Sequence, residues 1–563
     1  MSERTRLTPL MRILLSGEVS GEAPRALNLR ERFDRWMVNE GSRRLFVAVF
    51  ILGHCLIWGF GFTNYQLKDN LTQARTTYGY GYPIARSAAL VLHFDVACVL
   101  FPVCRTLISL ARQTPLNGII PFDKNITFHK LVGFSIVIFT WVHTIAHLHN
   151  VAQLSAKNNA GFIGFVKLNF LTGPGWTGYI LTITIMLMFF TALDKPRRAN
   201  FERFWNTHHL FVIFFIFWSI HGVWGFIPAD TKPFFYGNGS FYLYWMAGGF
   251  AYLAERIFRE IRGYQKTWIT KVIQHPSNVV EIQIKKDRQP KTRAGQYIFL
   301  CCPEVSLWQY HPFTLTSAPE EDYLSVHVRM VGNFTKALGK VLGCEGIDAG
   351  KEAKGASSKV VSDDVSGGDG ERRLTKLLPR VYIDGPFGSA SEDVFKFETC
   401  LLIGAGIGVT PFASILKSIW YRMKDYSTTK TRLRKVYFFW ACRDFGSLEW
   451  FKSLLAAIES EDKSHAIEIH AYLTAKITSA QASNIVLNSG DTDAITGLRT
   501  ATNFGRPNWD MVFRGIRKLH SPGECGVFFC GPKGLGSELH IKCNMYTDPG
   551  EKGCSFVWGK ENF

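Results

Sequence analysis

Several absences narrow this chain before any motif does. Its 563 residues include twelve cysteines, yet none fall in paired zinc spacing and none form the dense framework of a small secreted domain. That leaves reduced thiols and apolar filler. Residues 1–43 contain no compact apolar core ahead of the first long apolar run, so no cleavable signal is expected and the stretch reads as a flexible cytosolic arm. No Asp-x-Asp-x-Asp-Gly loop precedes that run either, which speaks against direct calcium control. Acidic side chains are in the minority, 46 against 64 Lys and Arg, for a formal net charge of +18. The excess lies beside the apolar segments, where it suits an anionic inner leaflet and dinucleotide phosphates better than nucleic acid.

Hydrophobic residues are present at 47% and concentrate in the first half. Apolar runs of spanning length occur near 44–62, 87–109, 129–149, 177–194, 205–225 and 239–256, the last interrupted by Gly248 and Gly249. This predicts six membrane helices. Basic residues flank them on one side: Arg43 and Arg44; Arg105 and Arg112; Lys195, Arg197, Arg198 and Arg203; Arg256, Arg259 and Arg262. By the positive-inside rule both termini face the cytosol. The loops on the other side are long and weakly charged, and two carry sequons, at Asn70 and Asn238. The sequons at Asn125 and Asn333 fall on the cytosolic side.

Four histidines sit in pairs inside two of these runs, His129 with His143 and His208 with His221. Ionisable groups at membrane depth are costly and rare, so the set points to bound cofactors. Imidazole is a good axial ligand for haem iron, and two ligands from facing helices favour electron transfer. His129 and His143 are 14 residues apart, roughly 21 Å along an ideal helix and within about 40° of one face. His208 and His221 are 13 apart, a rise of about 20 Å but an offset of about 140°, which predicts a distorted turn in that helix. His54, His93, His147, His149 and His209 also lie in or beside apolar segments and read mostly as satisfied interior histidines.

Beyond Arg256 to Lys266 the period changes to short β-type runs such as Val279 to Ile284 and Gln296 to Cys301. The string His311-Pro312-Phe313-Thr314-Leu315-Thr316-Ser317-Ala318-Pro319, followed by Val326-His327-Val328-Arg329, offers hydroxyls and a cation to a flavin pyrophosphate. Tyr310 and Phe313 add faces for stacking. Residues 345–376 are rich in Gly, Ser, Lys and Asp and read as a mobile insertion. A strand at Cys400 to Ile403 then runs into Gly404-Ala405-Gly406-Ile407-Gly408-Val409-Thr410-Pro411, where glycines let backbone N–H groups approach a phosphate at a helix N-terminus. The string departs from the G-x-G-x-x-G fingerprint in carrying Pro411 in the first helical turn. Strands at Lys435 to Cys442, Ile467 to Leu473 and Gly526 to Cys530, the last ending in Cys530-Gly531-Pro532, predict a parallel sheet. Arg443 follows one of them, where a cation could hold a ribose 2′-phosphate and select NADPH; taken alone it reads equally as a solvated surface arginine.

In this order the motifs resemble those of the catalytic chain of the superoxide-forming NADPH oxidases. The likeness runs from about Phe33 to the C-terminus and is densest at Asn125 to Lys130, His143 to His147, Thr207 to Val212, His311 to Pro319, Gly404 to Pro411, Gly505-Arg506-Pro507-Asn508-Trp509 and Lys560 to Phe563. The resemblance implies a multidomain chain: a six-helix transmembrane bundle of ferric-reductase type at 44–262 with two b-type haems, then a ferredoxin-NADP-reductase-like module. That module comprises an antiparallel FAD-binding β-barrel at 263–394 and an α/β NADPH-binding domain at 395–563. It implies His129 and His208 as ligands of the cytosolic-side haem, choosing His208 over His209, and His143 and His221 as ligands of the outer one. Arg86 and His147 match positions lining the oxygen-reduction site, Arg443 and Arg506 lie near the NADPH phosphate, Thr335 joins the flavin-binding set, and Phe563 covers the flavin ring. Electrons would pass from cytosolic NADPH through FAD and both haems to oxygen on the far side, giving superoxide. The implied partners are a soluble activator, a Rac-type GTPase and a small membrane protein. The insertion and the extra N-terminal residues depart from the shorter phagocyte-type pattern, and the arm is closer to fungal relatives. A plasma-membrane ferric-chelate reductase shares the scaffold and is the competing reading; an interaction scaffold with a degenerate dehydrogenase is a second, opposed by the intact nucleotide motifs.

Overall fold

The computed structural model describes residues 8–16, 26–224, 241–288, 290–344, 359–363, 378–424, 431–443, 446–462, 465–474, 493 and 495–561. The chain divides into two units, Ser42–Phe258 and a second formed by Met1–Gly41 with Arg259–Phe563.

In the first unit the apolar runs become helices. Among the described residues, four helical stretches, Leu29–Leu67 (which begins ahead of this unit), Gly81–Val103, Phe122–Lys157 and Gly173–Ala192, are long and apolar enough to cross a membrane. The expected single helix at 87–109 instead ends at Cys98 and resumes as Arg105–Ala111, because Pro102 cannot donate within a continuous ladder. The fifth run forms two shorter helices, Phe201–His208 and Phe211–His221, and the sixth forms Tyr242–Tyr264. The helices close on Leu92, Val96, Val132, Ile136, Phe214, Phe215 and Trp218. Two buried histidines here pack against local partners. His54 Nε2 lies 2.9 Å from Asp95 Oδ1, whose other oxygen accepts from Ser135 Oγ at 2.6 Å, and His93 stacks on Tyr244 at 3.9 Å.

Among its described residues the second unit carries three sheets. Two are antiparallel: one of four strands in the order Leu324–Arg329, Val279–Lys286, Thr267–His275, Lys359–Asp363, and one of three, His311–Thr314, Tyr297–Cys301, Tyr382–Phe387. Both sheets contribute to one core that includes Val272, Ile282, Ile284, Ile298, Leu300, Val326 and Ile383. The third sheet has six strands, all parallel, in the order Asn503–Phe504, Ile467–Leu473, Lys435–Cys442, Thr399–Ala405, Gly523–Cys530, Cys554–Lys560. Its central strands are near-continuous apolar runs because helices cover both faces.

Two expectations need correction. Within the span 345–376, residues Lys359–Asp363 pair with Thr267–His275 as an edge strand, as the β-branched Val360 and Val361 favour; the remainder of that span lies outside the described residues. The N-terminal stretch is not a free arm where it is described. Helix Pro9–Ser16 puts Leu10, 0% exposed, into the core around Phe513, Phe529 and Phe556, Thr8 Oγ1 donates to Glu468, and Asn39 bonds the backbone of Phe556 and Trp558. An amphipathic helix this short is stable only through such packing. All twelve cysteines are free, and burial pushes the Cys554 thiol up to about 12.

Candidate functional site

Helix Asn125–Lys157 carries His129 and His143 on nearly one face, and the two-piece fifth run supplies the partners. The break at His209–Leu210, with His209 Nδ1 bonded to Trp205 O at 2.7 Å, removes the offset of an unbroken helix and turns both His208 and His221 toward the first pair. The ring centres lie 6.1 Å apart for His129 and His208 and 6.4 Å for His143 and His221. Two imidazoles bound to opposite sides of one metal at about 2.0 Å would have centres roughly 6 Å apart, so each pair fits a single iron. Three of the four rings have Nδ1 engaged: His129 with Val99 O at 2.9 Å, His143 with Ala85 O at 3.0 Å and His221 with Thr177 Oγ1 at 2.7 Å. That fixes the tautomer and leaves Nε2 facing the partner, the arrangement metal-bound histidine requires. Beside the second pair is a cavity of about 200 Å³ lined by Arg86, His143, His147, His221, Tyr82 and Trp218. Arg86 reaches it from helix Gly81–Cys98, its guanidinium 5.3 Å from the Tyr65 ring centre, and His147 packs edge-on to His143 at 4.5 Å.

In the antiparallel sheets, strand His311–Thr314 runs along Tyr297–Cys301. Pro312 is exposed, Phe313 half-buried and Thr314 buried. His311 stacks on Phe334 at 3.9 Å. The Arg259 guanidinium lies 5.2 Å from the Tyr310 ring centre, and burial pushes the Tyr310 phenol up to about 12. Arg329 ends its strand exposed, close in sequence to the N-terminus of helix Asn333–Val341, where backbone N–H groups and a cation together suit a phosphate. Two hydroxyls are already engaged: Ser317 Oγ accepts from Ser325 N at 3.0 Å, and Thr335 Oγ1 accepts from Val331 N and Gly332 N at 3.1 and 3.0 Å.

In the parallel sheet, all strand C-termini share one edge, the edge at which open α/β sheets bind ligands. Gly404 lies opposite Cys530 on neighbouring strands, which joins the two nucleotide motifs. A Cβ on Gly408 would come 2.5 Å from Cys530 O, whereas Gly406, at φ +57°, has open space where its Cβ would be. Gly408 therefore permits the turn to lie against Cys530-Gly531-Pro532, and Gly406 leaves the loop's outer side clear for close approach. Thr410 and Pro411 open helix Thr410–Lys424. Arg443 and Arg506 follow strands of the same sheet and are exposed. Phe563 lies outside the described residues.

Three positioning residues escaped the sequence reading. Glu561 Oε1 accepts from Ser389 Oγ and Ser391 N, both at 2.7 Å, fixing the chain just ahead of its end. Glu320 and Glu321, just past the His311 to Pro319 string, bind helix Thr410–Lys424: Ser418 Oγ donates to Glu320 at 2.8 Å and Lys417 pairs with Glu321 at 3.4 Å. Ser414 Oγ also donates to Ser317 O at 2.7 Å. The only sequence signal was two carboxylates beside a recognised string, a pattern shared with any solvated turn.

Comparison with known proteins covers both units. Residues 95–219 match the family model "Ferric reductase like transmembrane component", 264–391 "FAD-binding domain" and 397–544 "Ferric reductase NAD binding domain". The chain is 37% identical to a superoxide-generating NADPH oxidase heavy chain of Dictyostelium discoideum over 95% of its length and 100% of the relative's. It is 35% identical to mouse NADPH oxidase 1, covering 99% and 98%, and 34% identical to human NADPH oxidase 3, covering 94% and 99%.

Proposed function

Because the chain belongs to the NADPH oxidase family, as a transmembrane oxidoreductase that makes superoxide at the expense of NADPH, we propose that oxygen is reduced in the cavity lined by Arg86, His143, His147 and His221. The juxtaposition of a cation and a second histidine with the paired rings of His143 and His221 is the observation that carries this reading. FAD and b-type haem, when bound, relay electrons singly from NADPH to oxygen. His129 and His208 would hold one haem and His143 and His221 the other, with Val99, Ala85 and Thr177 fixing three of the rings. Each haem would be held by two histidines, and the chemistry it would supply beside this cavity is one-electron transfer to oxygen. Arg86 supplies a fixed positive charge where the anion forms, in a site of low dielectric where that charge acts strongly.

In the other unit, Tyr310, His311, Pro312, Phe313 and Thr314 would seat the flavin in an antiparallel β-barrel, with Arg329 and the turn at Ser317 and Thr335 toward its pyrophosphate and Phe563 over its ring. Gly404, Gly406, Gly408, Thr410, Pro411, Cys530, Gly531 and Pro532 would hold the NADPH pyrophosphate, and the exposed guanidinium groups of Arg443 and Arg506 the 2′-phosphate. The shared C-terminal edge of the parallel sheet supports this set. Six spans with both termini cytosolic are the reading that the basic flanks support, with the helix pair Phe201–His208 and Phe211–His221 and the helix Tyr242–Tyr264 taken as the last two. The family resemblance supports three partners: a soluble activator, a Rac-type GTPase and a small membrane protein.

The test is NADPH-driven cytochrome c reduction by membranes containing the chain, with and without superoxide dismutase and cytosolic factors, beside a His143→Ala control. Dismutase-sensitive reduction that disappears with His143→Ala is expected. Dismutase-insensitive reduction of ferric chelates without superoxide would assign the chain to metal reduction instead.

A further inference from the structure

Outside the electron route, three ligand-type side chains meet on one face of the four-stranded sheet. Glu281 lies directly across from His327 on one neighbouring strand and across from Ile273 on the other, and His275 is two residues beyond Ile273, on the same side of the pleat. Register alone therefore brings the three together, from strands Thr267–His275, Val279–Lys286 and Leu324–Arg329. All three are buried, at 8%, 9% and 9% exposure, and their nearest ligand atoms lie within 4.8 Å of one another.

The spacing is that of ligands around a metal. Glu281 Oε2 is 3.6 Å from His275 Nε2 and 3.7 Å from His327 Nε2, beyond the 2.7–3.2 Å typical of such hydrogen bonds. Ligands bound at about 2.0–2.1 Å to one tetrahedral ion stand roughly 3.3–3.5 Å apart, so a contraction of a few tenths of an ångström would bring each histidine to that distance from Glu281. The outer atoms are also in place. His327 Nδ1 lies 2.8 Å from Thr316 Oγ1, and Glu281 Oε1 accepts from Gln283 Nε2 at 3.0 Å. Such outer partners set the tautomer of a metal-bound imidazole and orient a metal-bound carboxylate.

We propose that His275, Glu281 and His327 form a binding site for a zinc ion. Two imidazoles and one carboxylate are a donor set zinc accepts, leaving a fourth position for water, and the absence of thiolate disfavours copper(I) and iron–sulfur clusters. The Trp450 ring lies 4.2 Å from that of His327, so the ion would pin three strands beneath the surface on which the helix beginning at Gly446 rests.

The experiment uses the full-length protein in detergent, loaded with haem and FAD, equilibrated with micromolar zinc sulfate and freed of unbound metal. Mass spectrometry of the elements should give one zinc per chain more for the unaltered protein than for Glu281→Gln or His275→Asn, with haem absorbance and bound FAD reporting that each variant is folded. Should a variant not fold, X-ray absorption at the zinc edge of the unaltered protein decides alone: nitrogen and oxygen neighbours at about 2.0–2.1 Å support the site, and a sulfur shell at about 2.3 Å overturns it. Equal zinc in the unaltered protein and folded Glu281→Gln, or no zinc in either, would also overturn it.

Discussion

Single residues decide the chemistry at the cavity where we place oxygen reduction. Arg86 sits there with no acidic residue among the described side chains of the lining, so the wall as a whole favours an anion. Arg86→Ala is expected to lower dismutase-sensitive turnover by on the order of 10–100-fold while the haem spectrum keeps its amplitude; a variant that loses the spectrum would show Arg86 to be structural. Thr177 acts one step further out, its hydroxyl 2.7 Å from His221 Nδ1 and fully buried. Removing that acceptor makes the imidazole a poorer donor to iron. Thr177→Val should therefore raise the midpoint potential of the haem that His143 and His221 would hold by on the order of 40 mV, about 1 kcal/mol for a one-electron couple, which a potentiometric titration would read. An unchanged potential would mean that the bond does not tune the iron. Sequence disclosed the histidines, because charge-capable groups at membrane depth are conspicuous; it did not disclose Thr177, 44 positions from its partner, since a threonine in an apolar helix is unremarkable.

Among the elements, the strand-to-helix turn Gly404 to Pro411 illustrates how a motif depends on what lies against it. Its glycines were legible as a phosphate loop, but the reason Gly408 has no side chain is the carbonyl of Cys530, on the neighbouring strand. Gly408→Ala should push the loop away from that strand and reduce kcat/KM for NADPH at least about tenfold, with haem and FAD content unchanged. Steady-state kinetics at varied NADPH would reveal it, and an unaffected KM would remove the turn from the nucleotide site. The fifth run gives a second instance. Ideal-helix arithmetic exposed a mismatch between His208 and His221 and so predicted a distortion, and the structure puts the break at His209–Leu210. The position of the break was not readable, because neither proline nor glycine marks it.

Across the whole molecule, distant segments are fastened to the reductase unit by buried polar groups. One consequence is a dependence on pH. Burial lowers the His520 imidazole, Lys435 lowers it further and Glu468 opposes them, while Nε2 lies 2.8 Å from the Tyr437 hydroxyl. A histidine with a depressed folded pKa binds fewer protons folded than unfolded once the pH drops below about 6.5, so stability held at pH 7 is lost as the pH falls. Thermal unfolding followed by flavin fluorescence should give a lower Tm at pH 5.5 than at pH 7, and His520→Gln should lessen the difference. A Tm that does not move between those values would contradict the assignment.

The sequence by itself determined the alternation of apolar helices, β-type runs and glycine turns, and the paired histidines, because each is a short-range pattern of burial or backbone geometry. Strands Lys435–Cys442 and Ile467–Leu473 fall where their apolar runs predict for that reason. Only the tertiary structure decided that Leu10 fills a core about 500 residues away in the chain, that Glu561 fastens to Ser389, and that His275, Glu281 and His327 share one face. Such contacts depend on which strands become neighbours and in what register, and burying a polar group there is tolerated only when its partner arrives from another segment. No local stretch of sequence carries that information, since it belongs to pairs of residues brought together by the fold.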